Sequence, residues 1–463
     1  MPNYGELEIL KDLTLMIPIV TPNEMKLIDE TSNESLDVLI QRAGSAVAWS
    51  ARKFLNGSYG KRVVVIAGKG NNGDDGRVAA SYLRKWGIKT LEYSPKEAPK
   101  ELPKCDLVID AAYGTGIRGE YIAPLTDAPV IAVDIPSGVD GLTGEKMGSP
   151  MIADQTITFQ ALKPGHLIPP GSDHVGKVHV VDIGLDVSNI KTFKIEDSDI
   201  AQWLPRRSST AHKWESACWI IGGSPGMDGA LSLAAEAAQR AGAGYVRIST
   251  PGTLAVGSLE SVSHFLPEDS WEQCLETDIH RFSAGVIGPG LAVSSSNIKS
   301  IQKAVSDSPI PLVVDGGAIA AVGENQQLLG TRKADTILTP HDREFEDLVG
   351  FRPGPRRLED ALKAAKFTNS IILLKGPVTV VANPEGRCLV VANGDQRLAT
   401  AGTGDVLSGI IGALLAQGIA GMEAAAMGAW IHAKAGQFLP ERGMVASDLI
   451  NVIPEALHAT DMG

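Results

Sequence analysis

Runs of apolar, mostly β-branched residues recur along the first half of the chain: RVVVIAG (62–68), CDLVIDA (105–111), PVIAVDI (129–135), TITFQ (156–160) and VHVVDIG (178–184). Most are apolar throughout rather than alternating, as expected of parallel strands covered on both faces. Helical periodicity fills the intervals, as in GRVAASYLRKWG (76–87), and NEMKLIDETSN and ESLDVLIQRAGSAVAWSARKFL predict two helices ahead of the first strand. A second series follows Ser216: ACWIIGG, YVRIST, AGVIGPG, PLVVDGG, ADTILTP and IILLKG, with helices such as GALSLAAEAAQRAG (229–242) between them. A hairpin-like pair, VTVVANPEGRCLVV (378–391), then leads into a strongly helical C-terminus. Such β/α alternation predicts α/β folding in three layers, α/β/α, built twice. The segment from Asp186 to Lys213 lacks a strong strand pattern. It holds the expected boundary, near 193–205, between domains 1–195 and 196–463.

Composition narrows the function. At 463 residues the chain exceeds one ordinary core; length alone suggests about three domains, and the strand series reduce that to two. A net charge of −12 argues against a nucleic-acid or anionic-membrane surface, while leaving room for a local trap for small phosphorylated ligands. Cys105, Cys218, Cys274 and Cys388 form no metal-binding spacing and suit reduced thiols in a cytoplasmic protein. The N-terminal MPNYGELEILKDLTLMIP is acidic early and lacks a long apolar core, so it does not read as a signal peptide. From Val406 to Met422 no residue is charged, but four glycines and Gln417 interrupt a run too short to span a bilayer. A buried helix and its exit turn explain that run better.

Ligands of open parallel sheets bind beyond the carboxyl ends of the strands, and three polar tails stand there in the first half: GKGNNGDDG (68–76), DAAYGTGIRGE (110–120) and DIPSGVDG (134–141). Their glycines permit close backbone approach, and N–H groups at a helix start can face an anion. Asn72, Asp110 and Ser137 each offer a hard oxygen, a set suited to a cation bound through oxygen.

Together with TFQALKPGH (158–166), these tails resemble the NAD(P)H-hydrate epimerase family over roughly residues 20–190. The resemblance implies a Rossmann-like domain in which Asn72, Asp110 and Ser137 hold K+. It also implies that Asn71, Asn72, Gly73, Asp74 and Asp75, with Gly114, Thr115, Gly116, Ile117, Arg118, Gly119 and Glu120, contact the hydrated nicotinamide nucleotide. Asp134 would stand beside the reacting carbon, protonating the leaving hydroxyl and taking the proton back. One departure is local. Asp74 replaces the second glycine of the family's usual Gly-Gly-Asp-Gly; it is expected to point outward and cap a helix starting near Gly76, because pointing inward it would oppose an anionic ligand.

The strongest motif of the second half is AGTGDVLSGIIGALLAQG (401–418). Gly402-Thr403-Gly404-Asp405 precedes an apolar helix, so its N–H groups can form an anion hole, with Asp405 as a carboxylate accepting a hydroxyl proton. With HKWESACWIIGGSPGMDGA (212–230), ILTPHDREFEDLVG (337–350) and LLKGPVTVV (373–381), it resembles the ADP-dependent NAD(P)H-hydrate dehydratases of the ribokinase-like fold, over about 205–463. That resemblance places Ala230, Gly290, His341 and Asp405 against the hydrate. It places Lys375, Gly376, Pro377, Val378, Thr379 and Gly404 against the adenine nucleotide, with Mg2+ bridging the ADP phosphates and Glu344 on the metal side. Departures are Asp342-Arg343 for a usual Pro-Gly, and VVDGGAIA (313–320) for Asp-x-Asp-Ala-Leu.

The implied function is repair of hydrated NADH and NADPH: epimerisation of the R and S hydrates, then ADP-dependent dehydration of the S hydrate, giving AMP and phosphate. A small-alcohol, vitamin-precursor kinase carrying a non-catalytic N-terminal ligand-binding module is the alternative. Expected partners are the small molecules themselves and further copies of the chain, with no nucleic acid and no membrane.

Overall fold

The first apolar runs pair into a six-stranded, all-parallel sheet in the order Lys89–Tyr93, Arg62–Ala67, Leu107–Ala111, Val130–Val133, Gln155–Phe159, Lys177–Val181. The structure is a computed structural model and describes residues 16–459. The N-terminal stretch considered above as a signal peptide lies almost wholly outside those residues. The chain separates into two units, Met1–Phe193 and Lys194–Gly463. In the first, helices Leu36–Phe54 and Asn71–Lys85 cover one face of the sheet, burying Ala43, Val47, Ala51, Ala79 and Leu83 against Val65, Ile109 and Ile131. The other face is covered between strands by chain without α-helix, through Leu102, Tyr121, Met151 and Ala153.

Two details differ from the pattern-based expectation. Lys89–Tyr93 is a strand, although its KTLEY reads as polar; it lies at the sheet edge, where one side meets water. The helix expected from Gly76 begins at Asn71, so the GNNGDDG loop is itself the helix's first turns. Packing overrides poor local propensity there. A Cβ at Gly73 would lie 2.0 Å from the Gly68 carbonyl oxygen, and one at Gly68 1.9 Å from that of Ala112.

In the second unit the sheet runs Cys388–Val391, Thr379–Ala382, Ile371–Leu374, Thr336–Leu338, Leu312–Val314, Ala284–Ile287, Ala217–Ile221, Tyr245–Ser249, Val262–Ser263. The first two pairings are antiparallel, the first of them being the expected hairpin, and the rest are parallel. The uncharged run is helix Thr403–Ala416, ending at Gly418 with φ 84°. It packs on the sheet centre and on helix Asp228–Arg240, where a Cβ at Gly409 would lie 2.1 Å from the Ala234 carbonyl oxygen. No described helix is long and apolar enough to cross a membrane.

Candidate functional sites

In the first unit the chain moves outward from strand Arg62–Ala67 to one side, then returns to its other side at Leu107–Ala111. The loops leaving these two strands diverge, and this switch point opens a cavity of 490 Å³. Asn71, Asn72, Gly73 and Asp75 line it from the helix start, and Gly114, Thr115, Gly116 and Ile117 from the second loop. Asp134 lines it from the third strand end. Arg118, Gly119 and Glu120 lie outside the lining, as does Asp74. Asp74 turns outward to Arg77, 2.7 Å from Nη2, and Arg77 in turn donates to the Gly68 carbonyl at 2.8 Å. Outward orientation was expected; the capping role was not found, because Asp74 sits inside the helix.

Asp134 adopts φ 62°, a left-handed conformation a non-glycine residue holds only when its surroundings impose it. They do. Lys163 Nζ, 2% exposed as a side chain, lies 2.6 Å from Asp134 Oδ1, and Thr158 Oγ1 donates to the same oxygen at 3.0 Å. His166 accepts the Lys163 backbone N–H on Nδ1 at 3.0 Å, so its Nε2–H donates to the Asp134 carbonyl at 2.7 Å. Burial keeps this imidazole neutral, its pKa lowered to about 4. Burial also pushes the Asp134 carboxyl upward, but Lys163 and the hydrogen bonds outweigh it and hold Asp134 below the usual carboxylate range. A group held ionised is a poor proton donor, whereas the sequence reading expected Asp134 to supply the proton.

Asp110 and Ser137 lie outside the cavity lining and are fully buried. Ser137 donates through Oγ to Asp110 Oδ1 at 2.6 Å and through its backbone N–H to Oδ2 at 2.9 Å. Burial still pushes Asp110 up, against these hydrogen bonds. Both polar atoms of the Asn72 side chain are buried without a partner. A buried carboxylate, a hydroxyl and an unpartnered amide are a donor set that fits a hard cation. Among the described residues no cluster of three His, Cys, Asp or Glu stands ready for a softer metal.

In the second unit, Gly402 (φ 90°) turns the chain into the helix, and Gly404 and Asp405 fall in its first turn. A Cβ at Gly404 would be 3.5 Å from Lys375 Nζ. Lys375 lies 3.0 Å from Asp315 Oδ1 and 3.6 Å from Glu344 Oε2. Asp315, 3% exposed, also accepts from Thr339 Oγ1 and Ser408 Oγ, each at 2.7 Å. Burial would discharge Lys375, but Asp315 and Glu344 more than offset it and raise its pKa. Asp405 is pushed up to about 6 by burial, then by Asp315 and Glu344, with Lys375 opposing.

Ala230 and Gly290 approach so closely that a Cβ on Gly290 would be 2.9 Å from the Ala230 Cβ. His341 caps helix Asp342–Val349, its Nδ1 accepting from the Arg343 and Glu344 N–H groups, while Glu344 Oε2 accepts the His341 N–H at 2.9 Å. Glu344 thus serves the helix start and faces Lys375 at once. Asp342, the departure from Pro-Gly, pairs with Arg357 at 2.8 Å, and Arg357 donates to the Lys375 carbonyl at 2.9 Å. That link anchors the Lys375–Thr379 segment.

Sequence reasoning missed Asp29, Thr158, Lys163, His166, Asp315 and Ser408 as site residues. Thr158, Lys163 and His166 lie inside the TFQALKPGH run already singled out, and Asp315 directly follows strand Leu312–Val314, much as Asp110 stands at the carboxyl end of Leu107–Ala111.

Residues 218–456 match the family described as NAD(P)H-hydrate dehydratase, and residues 36–100 and 84–165 match that described as YjeF-related protein N-terminus. The bifunctional NAD(P)H-hydrate repair enzyme of Moorella thermoacetica is 32% identical over 95% of this chain and 96% of its own length. That of Escherichia coli K12 is 33% identical over 91% and 89%. The solved structure of Bacillus subtilis YxkO, of the UPF0031 family, is 25% identical with a TM-score of 0.50, covering 57% of this chain and 98% of that one.

Proposed function

The chain belongs to the bifunctional NAD(P)H-hydrate repair enzymes, and on that premise we propose that each unit carries one of the two activities. The first interconverts the R and S hydrates of NADH and NADPH; the second uses ADP to dehydrate the S hydrate. The observation that carries the reading is the pairing of two sites of different chemistry, one for each step. At Asp134 an ionised carboxylate faces a cavity of 490 Å³, as suits a reaction through a ring cation. At Asp405 a carboxylate near neutrality stands beside a buried ammonium at a helix N-terminus, as suits phosphoryl transfer.

In the dehydratase, Asp405 takes the hydroxyl proton, Lys375 and the helix N–H groups receive the phosphates, and phosphorylation makes the hydroxyl a good leaving group. Glu344, beside Lys375, would face a Mg2+ that would neutralise charge on the ADP phosphates. In the epimerase, Asn72, Asp110 and Ser137 would hold K+, which would supply positive charge to the site. Mixed epimers of hydrated NADH, given with and without ADP, test both units. Complete conversion is expected with ADP and interconversion alone without it. A halt after one epimer is exhausted leaves only the dehydratase; a stable phosphoester product would favour the small-alcohol kinase.

Two substitutions separate the loop's roles. Asp74→Gly should change epimerisation by no more than about twofold, since a half-exposed pair contributes little. Gly73→Ala forces a contact 2.0 Å from a backbone oxygen, and should cost about 1–3 kcal/mol together with most epimerisation. Rates of epimer exchange and urea midpoints check both; equal effects would refute the outward reading of Asp74.

A further inference from the structure

Resting on the epimerase reading of the first unit, we propose that Asp75, not Asp134, protonates the departing hydroxyl, while Asp134 remains the anion facing the ring cation that forms. Both residues line the same cavity, Asp75 at only 7% exposure. Their partners differ. Asp134 is committed to Lys163 and Thr158 through Oδ1. Among the described residues no donor reaches the Asp75 carboxyl. Carboxylates oppose its ionisation: Asp134 and Asp29 (from helix Pro22–Thr31) in the same lining, and the adjacent, outward-turned Asp74; the ammonium of Lys163 in that lining is committed to Asp134. Burial first, then these three, raise Asp75 to about 8, so at neutral pH it holds its proton inside the site. Two carboxyl groups pushed apart in acidity within one cavity divide into an acid and an anion.

The step balances without any other reactant. The Asp75 proton passes to the hydroxyl oxygen on the nitrogen-bearing ring carbon. The C–O bond breaks with its electron pair going to oxygen, water leaves, and the ring-nitrogen lone pair forms a C=N+ bond. Asp75 is left as a carboxylate and the iminium faces ionised Asp134. Water then adds to the opposite face: its electron pair forms the new C–O bond, the C=N π pair returns to nitrogen as its lone pair, and the proton the water releases returns to Asp75.

Epimer exchange in the full-length protein, measured across a pH range bracketing about 8, tests the assignment. The wild-type rate should fall as pH rises through that value, because the acid is then lost. Asp75→Asn should lower the rate about 10²- to 10⁴-fold and abolish that limb, while Asp75→Glu keeps part of the rate and retains the limb. Asp75→Asn with wild-type rate, or with a reduced rate that keeps the wild-type limb, would overturn the proposal. Removing a buried, crowded carboxyl should not lower the melting temperature, so a folding loss is not expected to mask the result. Wild-type protein that dehydrates the S hydrate yet never exchanges epimers would instead overturn the epimerase reading beneath it.

Discussion

Asp405→Ala should lower dehydratase turnover about 10²- to 10⁴-fold without lowering the unfolding temperature. The residue is held at about 6 by burial and by the nearby carboxylates Asp315 and Glu344. The sign of its linkage follows. Because the folded pKa exceeds the ordinary 3.8, the unfolded chain releases this proton first as pH rises. Ionising Asp405 therefore destabilises the fold, by an amount that is absent below the unfolded pKa and fully present once pH passes about 6. The residue is kept at that cost for its chemistry, and alanine removes the cost together with the base. In the wild type, turnover should fall as pH drops through about 6, where the base is lost. ADP-dependent recovery of NADH absorbance from the S hydrate, run beside thermal melting, measures both quantities. Unchanged turnover would sink Asp405 as the base, and a large drop in melting temperature would sink the account of its electrostatics.

Asp315→Ala should have the opposite profile, a large loss of stability accompanying the loss of turnover. Its carboxylate accepts from Lys375, Thr339 and Ser408 inside the sheet. Burial alone would raise its pKa, but those partners outweigh it and hold it ionised. Alanine leaves the ammonium and two hydroxyls without their acceptor, a change worth about 3–5 kcal/mol when one partner of a buried ion pair is removed. Lys375 should then drift from the phosphates, raising KM for ADP. The double variant Asp315→Ala, Lys375→Met removes both charges and should recover part of the stability but none of the turnover. Urea unfolding of the four proteins gives the coupling, expected at about 0.5–3 kcal/mol. Strictly additive losses would show that the pair does not act as a unit.

These two carboxylates were unequally legible. Asp405 stands in a local motif, where Gly-Thr-Gly-Asp and the apolar helix after it announce an anion hole. Asp315 directly follows an ordinary apolar strand, and its partner Ser408 is 93 positions away. Lys163 is likewise 29 positions from Asp134, and only the folded chain puts them 2.6 Å apart. The GNNGDDG stretch shows the same limit in its backbone. Two asparagines, three glycines and two aspartates argue against a helix by propensity, yet Asn71–Lys85 is one helix because its later turns pack under the sheet. The strand Lys89–Tyr93 escaped notice because an edge position does not demand an apolar pattern.

The sequence alone determined the two strand series, the glycine-lined turns at their carboxyl ends and the acidic residues standing there, because local pattern dictates which segments become strands and where polar tails must lie. Which of those carboxylates carries a proton was decided only by tertiary structure. Acidity is set by burial and by charges brought together from distant positions: Lys163 ionises Asp134, burial and neighbouring carboxylates keep Asp75 protonated, and Asp315 and Glu344 leave Asp405 poised near neutrality.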